Sequence, residues 1–323
     1  MFLAESHQVP VLQVFFGQFG GRGHVCFLGF DLRRALFQPC PMSPQPNPVF
    51  SLNRIPRRAL VSIIALNAAF TCTLTVLPGV ESTPAPAWRQ LPLITDGKVD
   101  PGWVHVGWGG FAVDNRALRT ECDPKGLGLL VYKRERFGNC QIRVVFKSKE
   151  AKSNSGVYVR IADGILELTK EPGAAFERDA AGKPSKQSAQ RMQVSSAREE
   201  GPWFAVHRGY EVQIADGGDP FHQTGAIYSL APSSAVSKKE PGEWKTMVIT
   251  LAGDQIFVDL DGQRITMFDP KSLELPPQKQ WYEPKREPKR PQAGYIGLQN
   301  HDPGDVVWFK EVSVRPLPPA GAK

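Results

Sequence analysis

The sequence predicts an all-β chain folded as a two-sheet sandwich with long loop insertions, and three observations predict it. Gly (30 residues) and Pro (29 residues) punctuate the chain, and β-branched and aromatic residues fill the intervals between them. Within those intervals apolar and polar residues alternate with a period of two, the signature of strands buried on one face. The connections carry turn chemistry, most clearly the Asp261-Gly262 dipeptide between two alternating runs.

Taken in order, Phe111-Ala112-Val113 runs into a turn at Asp114-Asn115 and resumes at Ala117-Leu118. Gln141 to Phe146 sets Ile142, Val144 and Phe146 against Arg143 and Val145. Val157 to Ile161 alternates again, and strict alternation places Tyr158 and Arg160 together, opposite the aliphatic residues. Tyr210 to Ile214 sets Glu211 and Gln213 on one face. Met247 to Leu251 is a strand, and Ile256, Val258 and Leu260 share one face of the next. The Asp261-Gly262 turn leads into Gln263 to Phe268, and Tyr295 to His301 and Val306 to Val314 close the series. Helical periodicity is scarce. Lys170 to Gly201, rich in Ala, Ser, Lys and Gln, reads as a long loop or insertion. Leu275 to Pro291, rich in Pro and charge, reads as a segment wrapping the surface.

A chain of 323 residues is long enough for one large domain or two ordinary ones. Its net charge of +7 is modest, and the densest basic run, Lys285 to Arg290, is interrupted by Glu287 and Pro288. That run reads as a solvated loop. No zinc-finger spacing, RNA-binding signature or basic helix accompanies it, so nucleic acid is not an expected partner. No GxSxG, phosphate-binding loop or dinucleotide fingerprint is present, which argues against serine hydrolases, kinases and dehydrogenases.

Arg54, Arg57 and Arg58 precede an uncharged apolar run from Ala59 to Leu77, and small and turn-forming residues follow as far as Ala87. This order describes a secretory signal, with membrane anchoring by residues 59–77 as the alternative. Phe70 argues against lipidation at Cys72. Met42 opens the segment naturally, so residues 1–41 are expected to be an upstream annotation artefact, residues 42–87 the signal and linker, and residues 88–323 the exported domain. Export to the periplasm or the extracellular space implies an oxidising compartment, where Cys122 and Cys140 form one disulfide or remain two buried thiols. After signal cleavage no membrane partner is expected.

Five motifs in order resemble the DUF1080 family, also called the 3-keto-disaccharide hydrolase domain. Asn154-Ser155-Gly156 with Arg160 resembles its NSG-x-x-x-R segment. Tyr210-Glu211-Val212-Gln213-Ile214 followed by Thr224-Gly225-Ala226-Ile227-Tyr228 resembles its E-x-Q-I and TGA-x-Y pair. Gly242-Glu243-Trp244, Gly294 to His301 and Trp308 to Val312 resemble its remaining strands. The resemblance runs from about Leu91 to Leu317. Two departures exist: Lys310-Glu311 stands where the family usually has Arg-Asn, and the opening Leu93 to Lys98 is altered. The resemblance implies a concanavalin-like jelly roll and cleavage of 3-keto-glycosides, sugars already oxidised at C3.

A ketone at C3 acidifies the C2–H bond, so a base can remove that proton, expel the C1 substituent and let water add. Such a site needs a positioned base, a positive group at the developing oxyanion and a proton source for the leaving oxygen. Glu211 or His301 is the expected base and Arg160 the oxyanion stabiliser or substrate clamp. Gln213, Gln299 and Tyr228 would bind sugar hydroxyls, with Tyr158 and Asn154 beside them. Polar outward faces occur on any sandwich, so the same residues also fit a non-catalytic carbohydrate-binding module. In that reading Trp203, Trp281 and Trp308 are stacking platforms. A conventional two-carboxylate glycosidase is a third reading. The metal requirement is open: Asp216-Gly217-Gly218-Asp219 with His222 is either a plain turn or a source of calcium ligands, and Glu211 with His301 could share a divalent cation.

Overall fold

Cys140–Ser148 alternates buried and half-buried residues over its whole length, whereas Ser155–Ile161 is buried throughout. The contrast separates two kinds of strand: one faces solvent on its outer side, and the other is covered on both sides. The computed structural model describes residues 86–271, 274–287 and 289–317. The expected upstream extension and the apolar run 59–77 lie outside the described residues.

In chain order the first strands are β1 (Arg89–Gln90), β2 (Ile94–Thr95), β3 (Lys98–Val99), β4 (Trp103–Gly107) and β5 (Gly110–Asp114). Next come β6 (Ala117–Glu121), β7 (Gly128–Tyr132), β8 (Cys140–Ser148), β9 (Ser155–Ile161) and β10 (Tyr210–Ile214). The series ends with β11 (Lys245–Ala252), β12 (Gln255–Leu260), β13 (Gln263–Phe268), β14 (Tyr295–Asn300) and β15 (Val307–Pro316). One sheet runs β13-β12-β11-β8-β15-β6-β5, with β1 paired to β15; the other runs β10-β9-β14-β7-β4. All strand pairs are antiparallel. The all-β two-sheet jelly-roll class expected from the sequence is the observed one.

The main core fills the space between the sheets, with Ile142, Val144 and Phe146 from β8 meeting Val157, Val159, Val212, Ile296 and Leu298 from the five-stranded sheet. A second apolar cluster lies on the other face of that sheet. There Leu129, Val131, Tyr158 and Ile161 pack beneath Met192, Trp203 and Val206. The covering layer comes from the stretch expected to be a loop. Within its expected bounds, Lys170 to Gly201, lies α1 (Lys186–Ala197), and a short 3-10 helix at Ile165–Lys170 and α2 (Trp203–Arg208) flank it.

The physical reason α1 escapes a pattern search is its buried face, which is Ser188, Met192, Ser195 and Ser196. Hydroxyls replace the usual apolar stripe. Ser188 Oγ accepts the Glu177 N–H at 2.7 Å and Ser195 Oγ the Ala174 N–H at 3.1 Å. Ser185 caps the helix by accepting the Ser188 N–H.

The basic run is not solvated as expected. Lys285 pairs with Glu199 at 2.8 Å, Arg286 donates to the carbonyls of Pro276, Pro284 and Ser229, and Arg290 donates to Gly209 and lies 4.8 Å over Tyr210. Buried carbonyls without a partner are costly, and these side chains supply the donors that fix an irregular segment over the sheet.

Candidate active site

Three neighbouring strands of the five-stranded sheet lay their outward side chains on one floor. In β10, Tyr210, Val212 and Ile214 enter the main core, so Glu211 and Gln213 face outward. Glu211 lies opposite Tyr158 of β9, and Gly297 of β14 flanks Tyr158 on the other side. Gly156 stands opposite Gln213, and a Cβ there would collide with the Glu211 carboxylate. The glycine of the Asn-Ser-Gly motif therefore provides the space into which the acid side chain folds.

The Tyr158 hydroxyl donates to Glu211 Oε2 at 2.6 Å and accepts from Gln299 Nε2 at 3.3 Å. Burial drives the Glu211 pKa up to about 7, against the opposing pull of the Tyr158 hydrogen bond, the His301 charge and Gln299. At neutral pH the carboxyl is poised to take or give a proton. Burial, reinforced by the neighbouring Glu211 charge, raises the Tyr158 hydroxyl well above 10 and keeps it a neutral donor. Gln213 Nε2 donates to Asn154 Oδ1 at 2.9 Å. The amide oxygens of Gln213 and Gln299 are buried without a hydrogen-bond partner.

His301 follows β14 and reaches the same floor. Its Nδ1 lies 3.0 Å from Asp305 Oδ2, a carboxylate that also receives the Asp302 N–H, while Asp305 Oδ1 receives the Asn154 N–H. Burial opposes a charge on this imidazole, but Asp305, Asp302 and Glu211 outweigh it and raise its pKa above 6.5. With Nδ1–H given to Asp305, Nε2 is the ring nitrogen left for a ligand.

Floor and covering layer enclose a cavity of about 410 Å3. Asn154, Tyr158, Glu211, Gln213, Tyr228, Gln299 and His301 line it, facing Leu127, Phe176, Trp203, Val206, Trp281 and Tyr282. The volume falls within the range of small-molecule sites.

Arg160 is the exception among the expected residues. Between β9 and β14 the register slips, so that Ile161 pairs Tyr295 while Tyr158 pairs Gly297, and Arg160 adopts φ 54°. This bulge inserts one residue, putting Ile161 back on the face of Tyr158 and turning Arg160 the other way. The Arg160 guanidinium donates to the carbonyls of Gly253 and Asp254, in the turn between β11 and β12. It ties the two sheets together at their edge and does not enter the cavity. Gly294 makes this packing feasible, since a Cβ there would strike the backbone of Arg160 and Ile161.

The Asp216–His222 segment is built as a turn. Asp216 pairs with the fully buried Lys245 and accepts from Thr224 Oγ1. Asp219 accepts the Phe221 N–H and meets His222 Nδ1 at 2.7 Å. His222 Nε2 lies 2.9 Å from Ser229 Oγ, the Asp-His-Ser order of a serine hydrolase. Ser229 is 4% exposed, however, and the N–H groups of Ser229 and Leu230 already donate to Phe221 and Ile227, so neither is free to serve as an oxyanion donor. The relay braces the chain beneath Tyr228, whose ring sits 5.0 Å from His222. Among the described residues no group of three or more His, Cys, Asp or Glu side chains is arranged to hold a metal ion. Cys122 and Cys140 are free thiols, and burial raises Cys140 to about 12. Trp308 donates its indole N–H to Asp114 and takes no part in the cavity.

Asp305, which orients His301, was not among the expected residues. Its only trace in the sequence is a carboxylate four residues after a histidine, across the Asp302-Pro303-Gly304 turn.

Comparison with the curated proteins found no match. Among solved structures, a Parabacteroides distasonis protein provisionally described as a glycosyl hydrolase is 23% identical, with a TM-score of 0.47 over 72% of this chain and 100% of its own. A second such protein from the same organism is 19% identical, with a TM-score of 0.44 over 69% and 92%. The carbohydrate-binding module CBM66 of Bacillus subtilis is 11% identical, with a TM-score of 0.35 over 66% and 95%. A domain family described as 3-keto-alpha-glucoside-1,2-lyase-like matches residues 88–315. This chain belongs to that family of 3-keto-alpha-glucoside-1,2-lyase-like domains.

Proposed function

We propose that the domain cleaves 3-keto-glycosides by elimination across C1–C2 followed by hydration. Glu211 takes the C2 proton, and the C–H electron pair delocalises onto the C3 oxygen, which the neutral Tyr228 hydroxyl receives as a donor. As the ketone re-forms, the C1–O bond breaks and the imidazolium of His301 protonates the departing oxygen. Water then adds to C1, giving its proton to His301, while Glu211 returns a proton to C2. Both groups end as they began.

The observation that carries this reading is a single carboxyl with a pKa near neutrality, held by Tyr158 beside an aspartate-supported imidazole. The unpartnered amide oxygens of Gln213 and Gln299 support a ligand rich in hydroxyl donors. The test supplies 3-keto-trehalose and trehalose, each with and without a chelator. Turnover of the keto sugar alone, slowed by deuterium at C2, is expected. Binding without turnover would make the domain a carbohydrate-binding module, and cleavage of plain trehalose a two-carboxylate glycosidase. Loss of turnover with chelator would add a cation to the site.

We also propose export of the domain through the segment of residues 42–87. N-terminal sequencing of the mature protein tests this, and peptides from residues 1–41 in it would refute it.

A further inference from the structure

The cavity is divided by chemistry as well as by architecture. Its hydrogen-bonding groups come from the sheet and the turns at the sheet's ends, whereas Leu127, Phe176, Trp203, Val206, Trp281 and Tyr282 supply an apolar wall. Trp203 and Trp281 stand 5.5 Å apart at 53°, and Trp281 and Tyr282 stand 5.4 Å apart at 82°. Tyr282 is 42% exposed, so the aromatic series leads from the interior to the mouth.

A second sugar placed against this wall would find one side-chain acceptor there, the Tyr282 hydroxyl, so most of its hydroxyls would be buried without a partner, and each such loss costs about 1–3 kcal/mol. A flat apolar group meets no such penalty and gains ring contacts. The wall is also fixed before any ligand arrives. Ser196 Oγ donates to the Trp281 carbonyl at 3.2 Å and contacts His207 Nε2 at 3.0 Å. His207 Nδ1 accepts the Lys285 N–H at 3.2 Å. These bonds lock the 281–285 segment onto α1 and α2, so little ordering remains to be done on binding.

We propose that the aromatic wall is an aglycone subsite, and that the preferred substrates are 3-keto-glycosides of aromatic alcohols and phenols, ahead of disaccharides. The inference rests on the elimination reading for the sugar half of the substrate, but its test does not. Benzyl and methyl 3-keto-α-glucosides are suitable probes, because the two alcohols leave with similar ease. Titrated calorimetrically into Glu211→Gln protein, the benzyl compound is expected to bind about tenfold tighter. Adding Trp281→Ala should bring the ratio to within about twofold, and Trp281→Phe should restore most of it.

A ratio near one in the Glu211→Gln protein would overturn the subsite, as would a ratio that Trp281→Ala leaves unchanged. Tighter binding of 3-keto-trehalose than of the benzyl compound would overturn the preference. Wild-type turnover separates the two ideas. Preferential benzyl binding with no cleavage leaves the subsite standing and removes the elimination, whereas equal affinity with cleavage does the reverse.

Discussion

Tyr158 and Glu211, directly opposite each other on adjacent strands, are joined by a 2.6 Å hydrogen bond from phenol to carboxylate. The bond stabilises the ionised acid and so restrains the rise that burial imposes. Tyr158→Phe removes that restraint, and the acid limb of the kcat/KM–pH profile should move to higher pH. An unmoved limb would detach Tyr158 from the ionisation of Glu211.

Glu211→Gln should reduce turnover by about 100-fold or more, the scale of a lost general base. It should also change how stability depends on pH. The folded protein holds the Glu211 proton up to about pH 7, above the ordinary 4.5, so it binds more protons than the unfolded chain between those values. Stability from this group is complete below 4.5 and declines by roughly 3 kcal/mol as pH rises through 7. His207 works in the opposite direction. Burial and Lys285 lower it to about 4, so between 6.5 and 4 the unfolded chain binds the extra proton, and stability falls by roughly 3 kcal/mol on acidification. The two trends offset each other in the wild type. Denaturant titrations of Glu211→Gln from pH 7 to 4.5 should expose the acid loss, and a profile as level as the wild type's would contradict the pairing.

Asp305→Asn withdraws a carboxylate that raises the His301 pKa. The alkaline limb of the profile should fall to lower pH, and an NMR titration of the His301 ring should show the same direction. A shift seen in the rate profile but not in the ring would assign that limb to another group.

Arg160→Met should lower stability by about 1–3 kcal/mol, the cost of stranding the Gly253 and Asp254 carbonyls. KM for the keto sugar should stay within about twofold, since catalytic losses from a clamp would be far larger. A large KM increase at unchanged melting temperature would return Arg160 to the substrate.

Gly156→Ala places a methyl group where the Glu211 side chain lies. Overpacking of this kind costs about 1–3 kcal/mol, with a still larger fall expected in kcat as the carboxyl is displaced from Tyr158. Full activity would mean that the acid tolerates another position.

Period-two alternation was sufficient to read the strands from β8 through β15, because each of them buries an aliphatic face. It also placed Glu211, Gln213, Tyr158 and Gln299 on shared faces, since none of their strands is interrupted before those residues. It failed at Arg160 because the bulge sets one extra β9 residue against β14 and reverses the facing from Arg160 onward, a pairing that the β9 sequence by itself does not encode. It missed α1 because serine hydroxyls bond to neighbouring backbone where an apolar stripe would normally pack. The β7 segment Gly128–Tyr132 is buried on both faces and so presents a continuous run instead of an alternation. Asp305 was hidden for a different reason, because its role depends on a turn that folds it back onto His301.

The division between floor and covering layer has a consequence for how such domains diversify. On the proposed mechanism the proton-handling groups sit on a hydrogen-bonded strand (Glu211) or directly after one (His301), where a small displacement would be ruinous, while the groups proposed to sort substrates ride on excursions between strands. Lengthening, trimming or grafting those excursions can retune substrate choice without disturbing the chemistry beneath. On that mechanism, domains sharing this floor can take different glycosides while keeping the same acid and the same imidazole.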